Sequence, residues 1–321
     1  MVMVRVAANK PSITIRLQPK QLLIMLTLVL LLYVVVPQIG SIGQSVGKLQ
    51  HANLIWVMLG ALSYMSSNLF SVGVYRLLSP RHLPFWRTAL VQYGGNFANR
   101  LLPAGLGALG VDYFYLRKQK CTRPAALATI LLNNILGAVG HVVLLIGIIL
   151  LVPDTFFSFR VNPQLSSDWW LIVLAVASLA TILLLVGRIR QRVIGAWESI
   201  WSKLRAYRTK KRRVLLALVV SLFITLAHSI CLWATSKALG VHLLLAQAIV
   251  VLGVGVLLGA VIPSPGGLGG AEAGLVAALV AFAIPVGSAI AVAILYRLAT
   301  YWLGFVAGAI TFPIVAKRSY I

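Results

Sequence analysis

Residues 261–274 read VIPSPGGLGGAEAG and interrupt one of the most apolar regions of the chain. Two prolines, five glycines and one carboxylate, Glu272, lie within this short stretch. A helix that crosses hydrocarbon tolerates such a break only where neighbouring protein or water satisfies the freed backbone groups. The stretch therefore predicts a broken helix inside a membrane protein, with Glu272 at the break.

The composition supports a membrane location. The chain has 321 residues, of which 60% are hydrophobic and 10% are charged, whereas soluble domains carry about 25% charged residues. The net charge of +23 does not indicate nucleic-acid binding, because the basic residues lie between apolar runs, as the positive-inside rule describes. We predict an all-α integral membrane protein that does not bind nucleic acid.

Six stretches are long and apolar enough to cross a bilayer, which takes about 20 residues. They are residues 20–37, 52–75, 124–152, 169–187, 214–238 and 286–315. Two further apolar regions, 85–118 and 243–284, are each interrupted near the middle by glycine and proline. Their flanks are short for independent spans, so these regions predict re-entrant hairpins made of broken helices.

Most of the 28 Lys and Arg residues fall on one side of this layout. They occupy the N-terminus, the segments 76–87, 117–123 and 188–213, and the C-terminus. The sequence therefore predicts a multi-pass protein of the cell inner (cytoplasmic) membrane with both termini in the cytoplasm, and with a retained N-terminal anchor. The segment 188–213 is interpreted as a basic amphipathic linker on the membrane surface.

The two interrupted regions resemble each other, since NRLLPAGLGALG begins at Asn99 and AVIPSPGGLGGA begins at Ala260. Each half of the chain is a span, a second span, a broken hairpin and a further span, which makes an odd number of crossings. Residues 20–152 and 169–315 are therefore predicted to be two inverted repeats of a single membrane domain, 1–321. Such repeats place a transport site near the bilayer midplane.

The predicted substrate site lies at the broken helices. The helix that begins near Gly267 and Gly269 would direct free N–H groups and a positive dipole end at the midplane, which favours an anion. Arg100, Glu272 and Arg297 are ionisable residues within the membrane region, where a charge costs at least about 2.5 kcal/mol. We therefore expect an arginine within salt-bridge reach of Glu272. The alternative role of Glu272 is to stabilise its helix through the helix dipole.

Other polar residues leave two readings open. Asn133, Gly137 and His141 share one face of the third predicted span. This face forms either a helix–helix contact or a polar wall of a headgroup path. Asp112 is interpreted as a solvated or paired surface acid near the cytoplasmic end of its half-helix.

The sequence contains no motif that predicts a catalytic or metal-binding site. GLGALG from Gly105 fits the dinucleotide-binding pattern, but no strand precedes it. No P-loop, nucleophile elbow or metal-spaced cluster of His and Cys is found. We expect no metal, no cofactor and no enzymatic activity.

Two motifs carry a resemblance to a known family. The segment from Pro263 to Trp302, PSPGGLGGAEAGLVAALVAFAIPVGSAIAVAILYRLATYW, and the segment NRLLPAGLG resemble those of the lysylphosphatidylglycerol synthase transmembrane, or flippase-like, family. The resemblance implies lipid movement between leaflets. It matches Glu272 and Arg297 to the acid and the YR arginine of the second half, and Arg100 to the basic residue before the first break.

Two departures from the family pattern limit what is carried over. Where family members often carry an acid after the first-half glycines, this chain has Ala108, and Asp112 is the residue that could replace it. The chain shows no soluble synthase domain, so aminoacyl transfer is not expected. The leading hypothesis is a flippase for an anionic or phosphate-bearing envelope lipid. The alternatives are a transporter of a small anion or proton-coupled solute, and a non-transporting subunit of an envelope-lipid pathway.

Overall fold

The computed structural model describes residue 47 and residues 49–101, 106–153, 210–261 and 270–321. The regular structure in these ranges is helical. The helices are α1 (Leu54–Leu78), α2 (Phe85–Leu101), α3 (Leu106–Lys118), α4 (Arg123–Leu151), α5 (Lys211–Ala238), α6 (Leu245–Val261), α7 (Gly270–Ala281), α8 (Val286–Arg297) and α9 (Leu303–Lys317), with a π-helical turn at Leu298–Trp302 between α8 and α9.

Four of these helical segments are long and apolar enough to cross a membrane. They are Leu54–Leu78, Arg123–Ile148, Lys211–Ala238 and the continuous α8–α9 segment Val286–Lys317. They correspond to four of the six predicted spans. The other two predicted spans, 20–37 and 169–187, and the predicted linker at 188–213 up to residue 209 lie outside the described residues. The fold is therefore that of a polytopic helical membrane protein.

The two interrupted regions form pairs of short helices. α2 and α3 have 17 and 13 residues, and α6 and α7 have 17 and 12. At 1.5 Å per residue the described part of each helix is no longer than about 26 Å, which is less than the hydrocarbon core of about 30 Å. The tips, 102–105 and 262–269, lie outside the described residues. The re-entrant position of these pairs in the bilayer stays a prediction.

Contacts between α2 and α3 show that the two helices run in opposite directions. Residues progressively earlier in α2 contact residues progressively later in α3. The successive pairs are Ala98 with Gly107, Gly95 with Ala108, Gln92 with Asp112, and Thr88 with Tyr115. The two helices therefore form an antiparallel hairpin, and residues of α2 and α3 are in contact along most of the length of the pair.

The order of elements is the same in both halves: a long helix, a pair of short helices and a second long segment. α1 packs along α5, and α2 packs along α9, so helices of the two halves contact each other directly. Glycine permits the second contact, because a Cβ on Gly308 would lie 2.7 Å from the Phe97 backbone nitrogen. The relation of 20–152 to 169–315 by an in-plane two-fold axis stays a prediction.

The largest buried cluster surrounds the second helix pair. It joins α1, α5, α6, α7 and α8 through small and branched apolar side chains, for example Leu232, Leu252, Leu279 and Val292. Cys231 lies within the same cluster as a buried free thiol. This packing fixes α7, and with it Glu272, against the end of α8.

Candidate functional site

A polar cavity of about 300 Å³ lies where α1, α2, α3, α5, α8 and the π-helical turn meet. Its walls come from both halves of the chain. The lining residues are Tyr64, Ser67, Asn68, Ser71, Gln92, Gly95, Asn96, Arg100, Ala108, Asp112, Ile224, His228, Tyr296, Arg297 and Thr300. Three of these, Gly95, Ala108 and Ile224, lack a polar side-chain atom. Polar side chains buried in so apolar a chain cost free energy unless hydrogen bonds, water or a ligand satisfy them.

One wall of the cavity contains an ion pair. Arg297 Nε donates to Glu272 Oε1 at 2.5 Å, and the two side chains are 16% and 28% exposed. Glu272 is in the first turn of α7, and Arg297 is the last residue of α8. Glu272 itself does not line the cavity. The expected pairing of Glu272 with an arginine is therefore confirmed, and Glu272 neutralises Arg297 from behind the cavity wall.

Arg100 is the second cation of the cavity and is held by uncharged groups. Its Nη2 donates to the carbonyl oxygen of Thr300 at 3.2 Å. Its guanidinium carbon lies 4.7 Å from the centroid of the Tyr301 ring, and that of Arg297 lies 5.5 Å from the same ring. A tyrosine ring attracts cations, so Tyr301 keeps two like charges close together. Within the described residues Arg100 forms no ion pair.

Thr300 and Tyr301 belong to the π-helical turn. In this turn the Leu303 N–H bonds to the Leu298 carbonyl, one residue further than in an α-helix. Such turns are frequent at functional sites because they change which face of a helix the following side chains occupy. Here the turn gives Arg100 both a carbonyl acceptor and an aromatic face.

Asp112 lies in the wall that α3 contributes. Tyr75 Oη donates to its Oδ2 at 2.6 Å and Gln92 Nε2 donates to its Oδ1 at 2.8 Å, while Ser71 Oγ donates to Gln92 Oε1 at 2.7 Å. The residue is 7% exposed. The interpretation of Asp112 as a surface acid is therefore wrong. It rested on the distance to Arg117 along the chain, whereas the packing of α3 on α2 turns position 112 inward.

The polar residues of α4 lie away from the cavity. His141 Nδ1 is 3.1 Å from Thr225 Oγ1 and 3.3 Å from the Gly137 carbonyl oxygen, so His141 connects α4 to α5. Asn133 is half-buried and does not line the cavity either. This geometry favours the helix–helix contact over the polar wall. Gly267 and Gly269, the other predicted site residues, lie outside the described residues.

Most of the cavity wall consists of residues that the sequence analysis did not select. On α1 the polar residues Tyr64, Ser67, Asn68 and Ser71 follow the spacing i, i+3, i+4 and i+7, which places them on one helix face. This stripe within an apolar span was a signal that could have been found. His228 on α5 also lines the cavity, and its ring lies 5.5 Å from that of Tyr64 and edge-on to it. These residues are neutral, whereas the site residues predicted at the broken helices were chosen mainly by their charge.

The helices and the cavity define a multi-pass membrane protein with a polar, arginine-containing site formed by both halves of the chain. The family model for the lysylphosphatidylglycerol synthase TM region matches residues 20–308. The chain belongs to this family, which confirms the resemblance seen in the sequence. None of the curated proteins matches the chain. The family name connects the protein to lipid metabolism.

Proposed function

We propose that the protein is a flippase that moves an anionic or phosphate-bearing lipid between the leaflets of the cytoplasmic membrane, with both termini in the cytoplasm. The observation that carries this proposal is the polar cavity with Arg100 in its wall. Membership in a family named for a lipid-modifying synthase supports a lipid as the substrate.

The size of the cavity fits a headgroup. A volume of about 300 Å³ is at the lower end of the range for small-molecule pockets. A polar headgroup fits such a volume, whereas two acyl chains do not. In the proposed mechanism the headgroup crosses through the cavity while the acyl chains remain in the hydrocarbon of the bilayer.

The end of the cavity at the π-helical turn favours an anion, whereas the α3 wall of the same cavity contains the acid Asp112. Because Glu272 neutralises Arg297, the net positive charge near the π-helical turn comes from Arg100. A guanidinium binds a phosphate oxygen through short, charge-assisted hydrogen bonds. A non-transporting subunit needs no polar cavity. A transporter of small anions would use the same cavity, so the test must separate that function from lipid movement.

Reconstituted vesicles provide the test. We would reconstitute the protein with phosphatidylglycerol labelled with NBD on its acyl chain, and follow loss of fluorescence after dithionite reduces the outer-leaflet label. Wild-type protein should make the inner-leaflet label accessible within the assay. Arg100→Gln should slow this by about tenfold or more, since a charge-assisted hydrogen bond is worth about 1.5–3 kcal/mol.

The matched control is Arg81→Gln, which removes the same charge from an exposed residue between α1 and α2. It should flip lipid at the wild-type rate. Uptake of radiolabelled phosphate into the same vesicles measures the alternative function. Phosphate uptake without lipid movement would indicate a small-anion transporter. If the folded Arg100→Gln variant moves lipid at the wild-type rate, Arg100 and its cavity take no part in lipid movement.

A further inference from the structure

Asp112 is a buried acid in the wall of the same cavity that contains Arg100. It lines the cavity from α3 and is 7% exposed. In the part of the chain that the structure describes, Asp112 forms no ion pair with a lysine or arginine. An acid in the interior of a membrane protein is costly to bury, and such acids commonly take part in ion pathways and proton relays. The position of Asp112 at a cavity therefore points to a role beyond packing.

The hydrogen bonds of Asp112 suit both the ionised and the protonated carboxyl group. Tyr75 Oη donates to one oxygen at 2.6 Å and Gln92 Nε2 donates to the other at 2.8 Å. These two donors are neutral, so they stabilise the negative charge without cancelling it. A protonated carboxyl group keeps acceptor capacity on its oxygens and gains one O–H donor. Both hydrogen bonds can persist when a proton binds, so Asp112 can change its charge without leaving the wall.

The charge balance of the cavity depends on Asp112. Among the described residues, the charged side chains that line the cavity are Arg100, Arg297 and Asp112, and Glu272 neutralises Arg297. While Asp112 is ionised, its charge balances that of Arg100. When Asp112 binds a proton, the charge of Arg100 is no longer balanced, and an anion binds more favourably.

Other titratable groups near Asp112 leave one competitor for the proton. Those that line the cavity with it are Tyr64 on α1, Arg100 on α2, His228 on α5, and Tyr296 and Arg297 on α8, while Tyr75 contacts Asp112 without lining the cavity. Helix α4 also packs against α3 but contributes no residue to the cavity wall. Arginine and tyrosine side chains ordinarily keep their charge state near neutral pH, whereas histidine does not. The test must therefore separate Asp112 from His228.

We propose that Asp112 is a proton-binding site, and that one proton binds there together with one anion in the cavity. The proton comes from water, forms an O–H bond with a carboxylate oxygen, and returns to water when the anion leaves. The linkage is reciprocal, because an anion that prefers the protonated form also promotes proton binding. The identity of the anion as a lipid headgroup rests on the proposed function, whereas the proton site does not.

The size of the cavity sets the strength of this linkage. A volume of about 300 Å³ places a bound anion within about 8 Å of the wall. At an effective dielectric constant of about 20, a unit charge at this distance changes the binding constant of an anion by at least about tenfold. The affinity of the wild-type protein for an anion should therefore fall by about tenfold or more as the pH rises through the titration of Asp112.

Isothermal titration calorimetry of the purified full chain in detergent tests the proposal. Titrations in buffers with different heats of ionisation count the protons taken up for each anion bound. The probes are dihexanoyl phosphatidylglycerol and dimethyl phosphate, two phosphodiesters that keep a single negative charge near neutral pH. Wild-type protein should take up to about one proton for each anion, at a pH at which the free carboxyl group is ionised.

Asp112→Asn removes the charge and keeps the shape of the side chain. This variant should take up no proton, and its affinity should be independent of pH and about tenfold or more above that of the ionised wild type. A structural role alone would not increase the affinity for an anion. Wild-type proton uptake in folded Asp112→Asn overturns the proposal. His228→Gln should still take up a proton, and loss of uptake in His228→Gln with uptake retained in Asp112→Asn would assign the proton to His228 instead.

Tyr75→Phe tests the same site if Asp112→Asn does not fold. The Tyr75 hydroxyl donates to the carboxylate and stabilises its ionised form, so its loss should move the midpoint of the pH dependence upward by about one pH unit. Tyr113→Phe is the matched control, because Tyr113 follows Asp112 on α3 and does not line the cavity. It should keep the wild-type midpoint. Thermal unfolding establishes that each variant is folded, and a wild-type midpoint in folded Tyr75→Phe contradicts the proposal.

The two phosphodiesters separate this proposal from the proposed function. Proton-linked binding of dimethyl phosphate, without binding of the lipid probe, supports the proton site and contradicts a lipid as the anion. Lipid movement by wild-type vesicles, with no proton uptake when either anion binds, supports the flippase and overturns the proton site. Wild-type protein that binds neither anion overturns the linkage of proton and anion.

Discussion

Removal of the charge on Glu272 provides the most direct prediction about the broken second hairpin. The Arg297–Glu272 distance is 2.5 Å and both side chains are mostly buried, at 16% and 28% exposed. Breaking a fully buried pair costs about 3–5 kcal/mol, whereas exposed pairs contribute about 0–1 kcal/mol. We expect Glu272→Gln to lower the free energy of unfolding by about 2–3 kcal/mol, mostly because the ion pair between Glu272 and Arg297 is lost.

Thermal unfolding in detergent measures this effect as a change in midpoint. For a chain of this size about 2–3 kcal/mol corresponds to a fall in the apparent Tm of about 5 °C. All variants need the same scan rate, because unfolding of membrane proteins in detergent is often irreversible. Arg81→Gln is the control and should leave the midpoint unchanged.

Arg297→Gln separates ion pairing from helix capping. If Glu272 acts only on the dipole of α7, its charge contributes about 0.3–1 kcal/mol. In that case Glu272→Gln lowers the midpoint slightly and Arg297→Gln has no effect through Glu272. If the ion pair stabilises the fold, the apparent Tm of each single variant should fall by about 5 °C. The double variant should then lose less than the sum of the two, because it leaves no unpaired charge.

Two results would refute this reasoning. A double variant whose loss equals the sum of the single losses shows that the two residues are not coupled. A Glu272→Gln variant that melts as wild type does and moves lipid at the wild-type rate shows that charge at this position is not part of transport. Capping is then a sufficient role for Glu272. We expect instead slower lipid movement, since the positive charge of Arg297 is then no longer neutralised by Glu272 and would hold the phosphate more tightly.

Three further predictions concern other parts of the molecule. Tyr301→Leu removes the ring that the guanidinium groups of Arg100 and Arg297 contact, and it should slow lipid movement several-fold. Tyr301→Phe keeps the ring and should not slow it. Equal rates in the two variants would exclude a role for the cation–ring contacts in lipid movement. Gly308→Ala should lower the apparent Tm strongly, because its Cβ would meet the Phe97 backbone at 2.7 Å. Gly137→Ala should not, because a Cβ on Gly137 meets no atom within 4 Å in the described part of the chain. Lys120→Cys should react with a membrane-impermeant maleimide only from the cytoplasmic side, and labelling only from outside would reverse the topology.

Long apolar runs were predictable because each is determined by local composition. The spans at 52–75, 124–152, 214–238 and 286–315 appear as helices with nearly the same bounds. The breaks were predictable for the same reason, since glycine and proline act on the backbone within a few residues. The pairing of Glu272 with Arg297 was also predictable from the sequence, because a charge in an apolar region requires a partner.

The rest of the site depends on packing that no local pattern specifies. The interpretation of Asp112 as a surface acid was wrong because its burial results from tertiary contacts. Tyr75 on α1 and Gln92 on α2 donate hydrogen bonds to its carboxylate. The π-helical turn at Leu298–Trp302 carries no sequence signature, yet it provides the acceptor for Arg100. Neutral residues such as Asn68 belong to the site only because the packing of α1 places them in the cavity wall. Such features arise from the tertiary fold.

The role of Glu272 follows from the separation of the two arginines. Both guanidinium groups lie on the Tyr301 ring, so two free cations there would bind a phosphate tightly and release it slowly. Because Glu272 occupies Arg297 from outside the cavity, the site keeps one available cation. Transport requires binding that is strong enough for entry and weak enough for exit, and under the proposed function Arg100 alone would meet both requirements better than two free arginines. We therefore propose that the acid at the broken helix sets the strength of the site without contacting the substrate.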